Sequence, residues 1–396
     1  MAKKFNDIKN QNVVANIKKD LPKVFNGYYN PLDILEKQTS YKMVISKRSD
    51  GKSFAFRLVL YYAFQKFNYT SVIIRRLDSM IKPSLIKNDF TKIFEMFPNI
   101  NFKKYDGISY YSGTFRGYWI NEKNKKEYDK PFVEYLSVNT METTKSSKDY
   151  TDLYMILFDE FLSRDKYLTN EYILWNNLLA TIIRNTENCI ICMLANPVSF
   201  ESPYFNEYGI NARQLPNNTI TVYKSGKSQT SIAIEKLDLN KGNKKTDVIN
   251  DKYFGFDKNH KVKSITTGIW ESPMYPRLKK QNNEVIITDK LFVKMDNLKL
   301  RLTICKTDTI GLFVRVSQFY NDDFYDDDII FDVSENRLLL NNVYSKFAIE
   351  SNVYKIEKTL LYLYQQNKYF YSDNMVGESL RLFWLDFLDK KPKQLN

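Results

Sequence analysis

The stretch Ile45-Ser46-Lys47-Arg48-Ser49-Asp50-Gly51-Lys52-Ser53 decides the fold of this 396-residue chain. It satisfies the phosphate-binding pattern GxxxxGK[ST] at every fixed position but the first, where Ser46 stands in place of glycine. An apolar run, Tyr41 to Ile45, precedes it and a helical pattern, Lys52 to Phe67, follows, which is the strand–loop–helix context the motif requires. In such a loop the backbone N–H groups face phosphate and Gly51 permits close approach. The Lys52 ammonium reaches the outer phosphates, and the Ser53 hydroxyl ligates Mg2+. The motif therefore predicts ATP and Mg2+ as cofactors, with Ser46, Lys47, Arg48, Ser49, Asp50, Gly51, Lys52 and Ser53 around the phosphates.

A second segment completes the chemistry. Leu153-Tyr154-Met155-Ile156-Leu157-Phe158-Asp159-Glu160 is an apolar strand ending in two acids, and burying carboxylates is costly unless they have a task. Asp159 fits a Mg2+ anchor and Glu160 fits the base that orients an attacking water. The competing account is a strand that simply emerges into solvent at an Asp-Glu turn. Lys224-Ser225-Gly226-Lys227-Ser228 also contains GKS, but no glycine opens it and an alternating, strand-like run follows, so it is expected to be a hairpin turn.

Other candidates keep two readings each. Arg184 closes a helical pattern, Tyr172 to Arg184, and is either a solvated arginine or a finger reaching a neighbour's γ-phosphate. Asn196 follows the strand Cys189 to Leu194, and either senses phosphate through its amide or makes the turn before Pro197. Arg75 and Arg76 end the strand Ser71 to Ile74, on the edge where open α/β sheets bind ligands, or else pair between domains. Lys145 and Lys148 flank two serines in a polar loop that is either solvated or turned towards nucleic-acid phosphate.

Short apolar runs alternate with helical patterns through the first half, and Phe132 to Val138 supplies a further strand. This is the α/β signature of a sheet flanked by helices. Asp106-Gly107 and Ser112-Gly113 mark turns of a hairpin insert at the sheet edge. Pro203, Gly209 and Pro216 cluster after it, placing an ATPase domain at 1–205, a linker at 206–220 and a second domain at 221–396. That second part reads as strands first (219–223, 231–235, 264–270, 284–287, 299–305, 311–316 and 329–333) and then helices (353–366 and 375–387), an α+β pattern. The polar, basic stretch 241–263 reads as a loop.

The formal net charge is +13, which points to a polyanionic partner. Basic over acidic residues number 30 to 22 across 1–206, 19 to 10 across 207–306 and 10 to 14 across 307–396, so the excess is regional rather than a uniform bias. No run approaches the roughly 18 to 20 apolar residues of a membrane span, and the N-terminus lacks the apolar core of a signal peptide. Three cysteines cannot build a disulfide framework, which suggests a reducing compartment. The Cys189/Cys192 pair lies on a strand that sends the thiols to opposite faces, against a zinc site.

Taken in order, ISKRSDGKS, IIRR, ILFDEF, IIRN and CMLANPVSFESPYF resemble the DNA-packaging ATPases of small phi29-like podophages, relatives of the large terminase subunits. The resemblance spans about the first half of the chain. It implies an ASCE-type P-loop ATPase domain and a C-terminal RNase H-like domain that lacks nuclease activity. It also implies that Arg48 is an additional P-loop arginine, that Asp159 and Glu160 are the Walker B pair, that Arg184 is a trans-acting finger, and that Asn196 lies where hydrolysis is coupled to movement. The implied assembly is a homo-oligomeric ring, of five subunits, on the portal of an empty capsid in the host cytoplasm. Its implied partners are double-stranded DNA, the portal and a packaging RNA. Asp308, Asp322, Asp323, Asp326, Asp327 and Asp328 read as a solvated acidic loop more readily than as a two-metal site, because most are consecutive. Two alternatives stay open: a helicase or repair ATPase on single strands, and a structural nucleic-acid-binding ring whose P-loop is disabled at Ser46.

Overall fold

The computed structural model describes residues 8–47, 50–140, 150, 152–163, 167–184, 186, 188–197, 202–225, 230–237, 275–295, 298–320, 324–325, 327–332 and 352–390. The chain divides into two compact units, one formed by Met1–Ser163, Tyr167–Pro203 and Ala212–Trp270, the other by Arg164–Lys166, Tyr204–Asn211 and Glu271–Asn396.

The first unit is built on one sheet. Its strands are β1 (Tyr41–Ile45), β2 (Thr70–Arg75), β3 (Gly107–Tyr111), β4 (Thr114–Ile120), β5 (Lys126–Tyr128), β6 (Val133–Ser137), β7 (Leu153–Asp159), β8 (Ile190–Ala195), β9 (Thr219–Lys224) and β10 (Ser231–Lys236). The order is β3-β4-β6-β2-β7-β8-β1-β10-β9, with β5 on β4. From β6 to β10 every neighbouring pair is parallel, and antiparallel strands close both margins. A parallel sheet covered on both faces demands unbroken apolar strands, and all seven residues of β7 are buried. The helix Lys52–Phe67 follows β1 and buries Ala55, Phe56, Val59 and Phe64 in a core that also takes Phe90, Phe115 and Phe132. Phe132 anchors that cluster, its ring 5.2 Å from Phe64 and 5.1 Å from Phe90, and burying such a side chain contributes roughly 1.5–3 kcal/mol.

The expected insert is present, as β3 and β4 pair antiparallel across Ser112-Gly113. The expected boundary is not where the sequence placed it. β9 and β10 belong to the first sheet, and β10 runs parallel to β1 with Met43 opposite Ile234. Residues 219–224 and 231–236 therefore extend the first sheet rather than opening a second domain, while Tyr204–Asn211, within and just before the expected linker at 206–220, group with the second unit. Proline and glycine punctuate connections within a domain as readily as between domains, and a strand's sequence does not say which sheet it joins. β9 and β10 also flank the second GKS, with the Ser225 amide donating to Thr230 O at 3.0 Å, as a hairpin does. Gly226, Lys227 and Ser228 themselves lie outside the described residues.

The second unit carries β11 (Val285–Met295), β12 (Leu298–Thr307), β13 (Gly311–Phe319), β14 (Ile329–Asp332) and β15 (Tyr369–Tyr371), ordered β14-β11-β12-β13-β15. β11, β12 and β13 form an antiparallel meander, while β14 lies parallel to β11 and β15 parallel to β13. Leu291, Val293, Leu300, Leu302, Val314 and Val316 share a core with Leu360, Leu380 and Trp384 of the helices Asn352–Gln365 and Asn374–Lys390. The α+β pattern holds, with one strand, β15, between the two helices. β11 runs beyond the expected Ile287 to Met295, through a register shift between Ile286 and Leu291 where Thr288, Asp289 and Lys290 interrupt the apolar pattern. The expected strand 264–270 and loop 241–263 lie outside the described residues.

Candidate nucleotide site

β1 delivers the chain into the loop already buried. Ser46 is fully enclosed, its amide donating to Ala195 O of β8 at 3.2 Å and its hydroxyl to Lys47 O at 3.3 Å. Serine is thus accommodated at the entry position because its one polar group is satisfied. Lys47 is also buried, and Arg48 and Ser49 lie outside the described residues. At Asp50, burial raises the carboxyl above its usual range, with Lys52 and the Ser46 hydroxyl opposing. Its carbonyl accepts from the Tyr29 amide at 2.7 Å, tying the loop to the preceding segment.

Gly51 has φ 77°, and a Cβ there would come within 2.7 Å of Tyr28 Cδ1. Both conditions favour glycine. Gly51→Ala is expected to cost roughly 1–3 kcal/mol in urea unfolding and to weaken nucleotide binding in the same protein, since the strained residue is part of the cradle.

The helix Lys52–Phe67 begins at this turn, pointing its first free N–H groups and positive dipole end at the loop. Lys52 Nζ donates to Ser46 O at 3.2 Å, Lys47 O at 3.3 Å and Asn196 Oδ1 at 2.6 Å. All three acceptors are neutral. Burial lowers the Lys52 pKa, opposed by the charges of Asp159, Asp50 and Glu160. The next residue, Ser53, donates its hydroxyl to Asp159 Oδ1 at 2.9 Å.

Asp159 ends β7 and is 1% exposed. Burial on its own would raise its pKa. Arg75, at 2.8 Å, and Arg57, at 3.3 Å, outweigh burial together with the Ser53 hydroxyl and hold the carboxyl below its usual range. Glu160 follows in the left-handed region at φ 71°, with its own amide and that of Phe161 both donating to Leu194 O, at 2.8 and 3.1 Å. Its side chain is 46% exposed, and Arg75 Nη1 meets Oε2 at 2.9 Å.

The structure thus gathers Lys47, Asp50, Gly51, Lys52, Ser53, Asp159, Glu160 and Asn196 around one loop. Asn196 faces Lys52 rather than serving only the turn before Pro197. Among the described residues Arg75 binds the two acids and Arg76 binds Glu171, all partners of the first unit. Arg184 is exposed two residues past the helix Glu171–Ile182 and makes no ion pair among the described residues. Lys145 and Lys148 lie outside the described residues, as do Asp322, Asp323 and Asp326. Of the remaining acids of that cluster, Asp327 pairs with Lys290, Asp328 accepts from the Tyr325 amide at 2.8 Å, and Asp308 sits in the turn after β12.

Sequence reasoning missed Arg57, Asp89 and Tyr135. Arg57 joins Asp159 to Asp89 Oδ1, at 3.1 Å, and the Tyr135 hydroxyl donates to Asp89 Oδ2 at 2.6 Å. The signal for Arg57 was available: it lies four residues after Ser53, one helical turn along the same face. Asp89, in the turn after a four-residue helix, carried none.

A buried strand, a glycine turn, a lysine set over neutral acceptors and a helix-borne hydroxyl against a buried carboxylate define a P-loop nucleotide-binding protein. Residues 24–250 match the signature of the Podovirus DNA encapsidation protein (Gp16) family, and the chain belongs to that family. The DNA packaging proteins of Bacillus phage phi29 and Bacillus phage PZA are each 28% identical to it over 183 residues, 45% of this chain and 49% of theirs. The chain therefore spans about half the length of these curated relatives. In fold it is similar to the Phi-28 gp11 DNA packaging motor, with a TM-score of 0.52, 20% identity and coverage of 94% of this chain and all of that one. It is also similar to a chain of the bacteriophage Phi-29 genome packaging motor assembly, with a TM-score of 0.56, 18% identity and coverage of 91% and 100%.

Proposed function

We propose that the chain is an ATPase that drives double-stranded DNA into an empty capsid as one subunit of a ring at the portal. The observation that carries this reading is the pairing of Ser53 with Asp159 beside Lys52, with Glu160 next in sequence. These residues suit ATP and Mg2+. A hydroxyl and a carboxylate 2.9 Å apart are hard oxygen donors, and Lys52 has no carboxylate within ion-pair distance among the described residues, leaving its charge for phosphate. Bound Mg2+ would draw charge from the phosphate oxygens and would be held by Ser53 and Asp159. Lys52 and the helix N-terminus bind and orient the outer phosphates. Glu160, exposed beside them, takes a proton from the attacking water. Arg75 fixes the spacing of the two acids. The strand β8 between β1 and β7 supports the ASCE-type reading of the sheet.

Arg184, exposed and without an ion pair among the described residues, suits a finger that completes a neighbour's site. If Arg184→Ala subunits are mixed with wild type, ATP turnover should fall more steeply than the wild-type fraction. A fall in simple proportion would remove the trans role. The positive excess suits contact with duplex phosphate, which is salt-sensitive and tolerant of sequence. For the second unit we propose an RNase H-like domain, supported by its antiparallel meander with a parallel strand beside β11, and we propose that it lacks nuclease activity. We place the ring, of five subunits with a packaging RNA at the portal, in the host cytoplasm. The function is tested by phosphate release from purified protein with Mg2+ and ATP, with and without duplex DNA and procapsids. Turnover that DNA and procapsids stimulate is expected, and its absence under every condition would refute the ATPase.

A further inference from the structure

Arg76 takes no part in the chemistry described above, yet it is 6% exposed and, among the described residues, its guanidinium donates to four acceptor atoms. Nε donates to both oxygens of Glu171, at 3.0 and 2.9 Å, and Glu171 is itself 2% exposed. Nη1 donates to Glu160 O at 3.3 Å and Nη2 to Phe161 O at 2.6 Å. The guanidinium also lies over the Tyr167 ring, 5.1 Å from its centre. Glu171 in turn accepts from the Leu168 amide at 2.8 Å, at the start of the helix Glu171–Ile182.

Glu160 is a non-glycine residue at φ 71°, a conformation that persists only where its surroundings over-determine it. The turn is gripped from two sides. Leu194 O takes the amides of Glu160 and Phe161, and Arg76 takes the carbonyls of the same two residues. A flat guanidinium can hold two carbonyls and a carboxylate at once, whereas the point charge of a lysine cannot. Arg75, the preceding residue, meets the Glu160 carboxylate, so adjacent residues hold its side chain and its backbone separately. A buried ion pair is a weak source of net stability, so its presence here is better accounted for by the geometry it fixes.

We propose that Arg76, anchored by Glu171, is a positioning residue that sets the backbone of the Glu160 turn and thereby aims the general base. This rests on the ATPase reading for its kinetic consequence but not for its structural one. Arg76→Lys and the near-isosteric Glu171→Gln test it, with urea unfolding to verify that each variant folds. Turnover should fall about 10- to 100-fold while affinity for a non-hydrolysable ATP analogue stays within about threefold, because the phosphate cradle is untouched. Hydrogen exchange at the Glu160 and Phe161 amides should quicken by about tenfold or more, with the amides of β1 unchanged. In a Glu160→Gln background, Arg76→Lys should alter the residual turnover by less than about twofold, since the group it aims is gone. Equal losses of turnover in both backgrounds, or unchanged exchange at the two amides, would overturn the assignment. A wild-type protein that hydrolyses no ATP would sink the ATPase reading instead, and the exchange measurement would still decide whether Arg76 holds the turn.

Discussion

Glu160→Gln is expected to lower ATP turnover by about 10²- to 10⁴-fold and to leave nucleotide affinity within about threefold. The substitution keeps the size of the side chain and a hydrogen-bonding end, but removes the capacity to accept a proton. Among the described residues Glu160 makes no hydrogen bond or ion pair to Lys52, whose ammonium is held by Ser46, Lys47 and Asn196, so binding should survive. Its side chain is 46% exposed and its pair with Arg75 is partly solvated, so the fold should lose no more than about 1 kcal/mol. Phosphate release and titration with a non-hydrolysable analogue read the two halves separately. Unchanged turnover would assign the proton transfer elsewhere.

Asp159→Ala should have the largest effect on the fold itself. Arg75, at 2.8 Å, and Arg57, at 3.3 Å, share a carboxylate that is 1% exposed, and removing it leaves two cations, each only 13% exposed, without their common partner. Breaking a buried pair by deleting one partner costs about 3–5 kcal/mol, although Asp89 and Glu160 retain part of the compensation. Urea unfolding should show the loss, and Asp159→Asn, which preserves the shape, should lose less. Asp159 also sets an acid limit. Because folding lowers its pKa, its stabilising contribution is complete above the unfolded-chain value of about 3.9 and is lost as pH falls below that through the folded value. The wild type should therefore lose stability on acidification below about pH 4 more steeply than Asp159→Asn. Equal acid profiles would show that the two arginines do not hold the charge.

Much of the first unit was legible because its signals are local. β1 and the helix Lys52–Phe67 fall where the apolar run and helical pattern end, and Asp159 and Glu160 stand out because acids close an apolar strand. Boundaries set by pairing were not legible. β9 and β10 read as strands, but only β10's register against β1 assigns them to the first sheet. Likewise Arg75 and Arg76 were visible at the edge of the sheet, but as consecutive residues of like charge they gave no hint that one would take the Asp159 and Glu160 carboxylates and the other the Glu171 carboxylate with the Glu160 and Phe161 carbonyls. Asp89 and Tyr135 were silent because their partners, Arg57 for Asp89 and Asp89 for Tyr135, are far away in sequence. Glycine's absence at position 46 suggested a weakened loop, whereas the enclosed and hydrogen-bonded serine shows how the turn accommodates it.

The most direct test of the proposed motor is protection of duplex DNA from nuclease by procapsids supplied with the purified protein, Mg2+ and ATP. Protection is expected to grow with ATP, to fail with a non-hydrolysable analogue, to be indifferent to DNA sequence and to be abolished by Lys52→Ala. Protection that persists without ATP hydrolysis, or that Lys52→Ala leaves intact, would contradict the proposed motor.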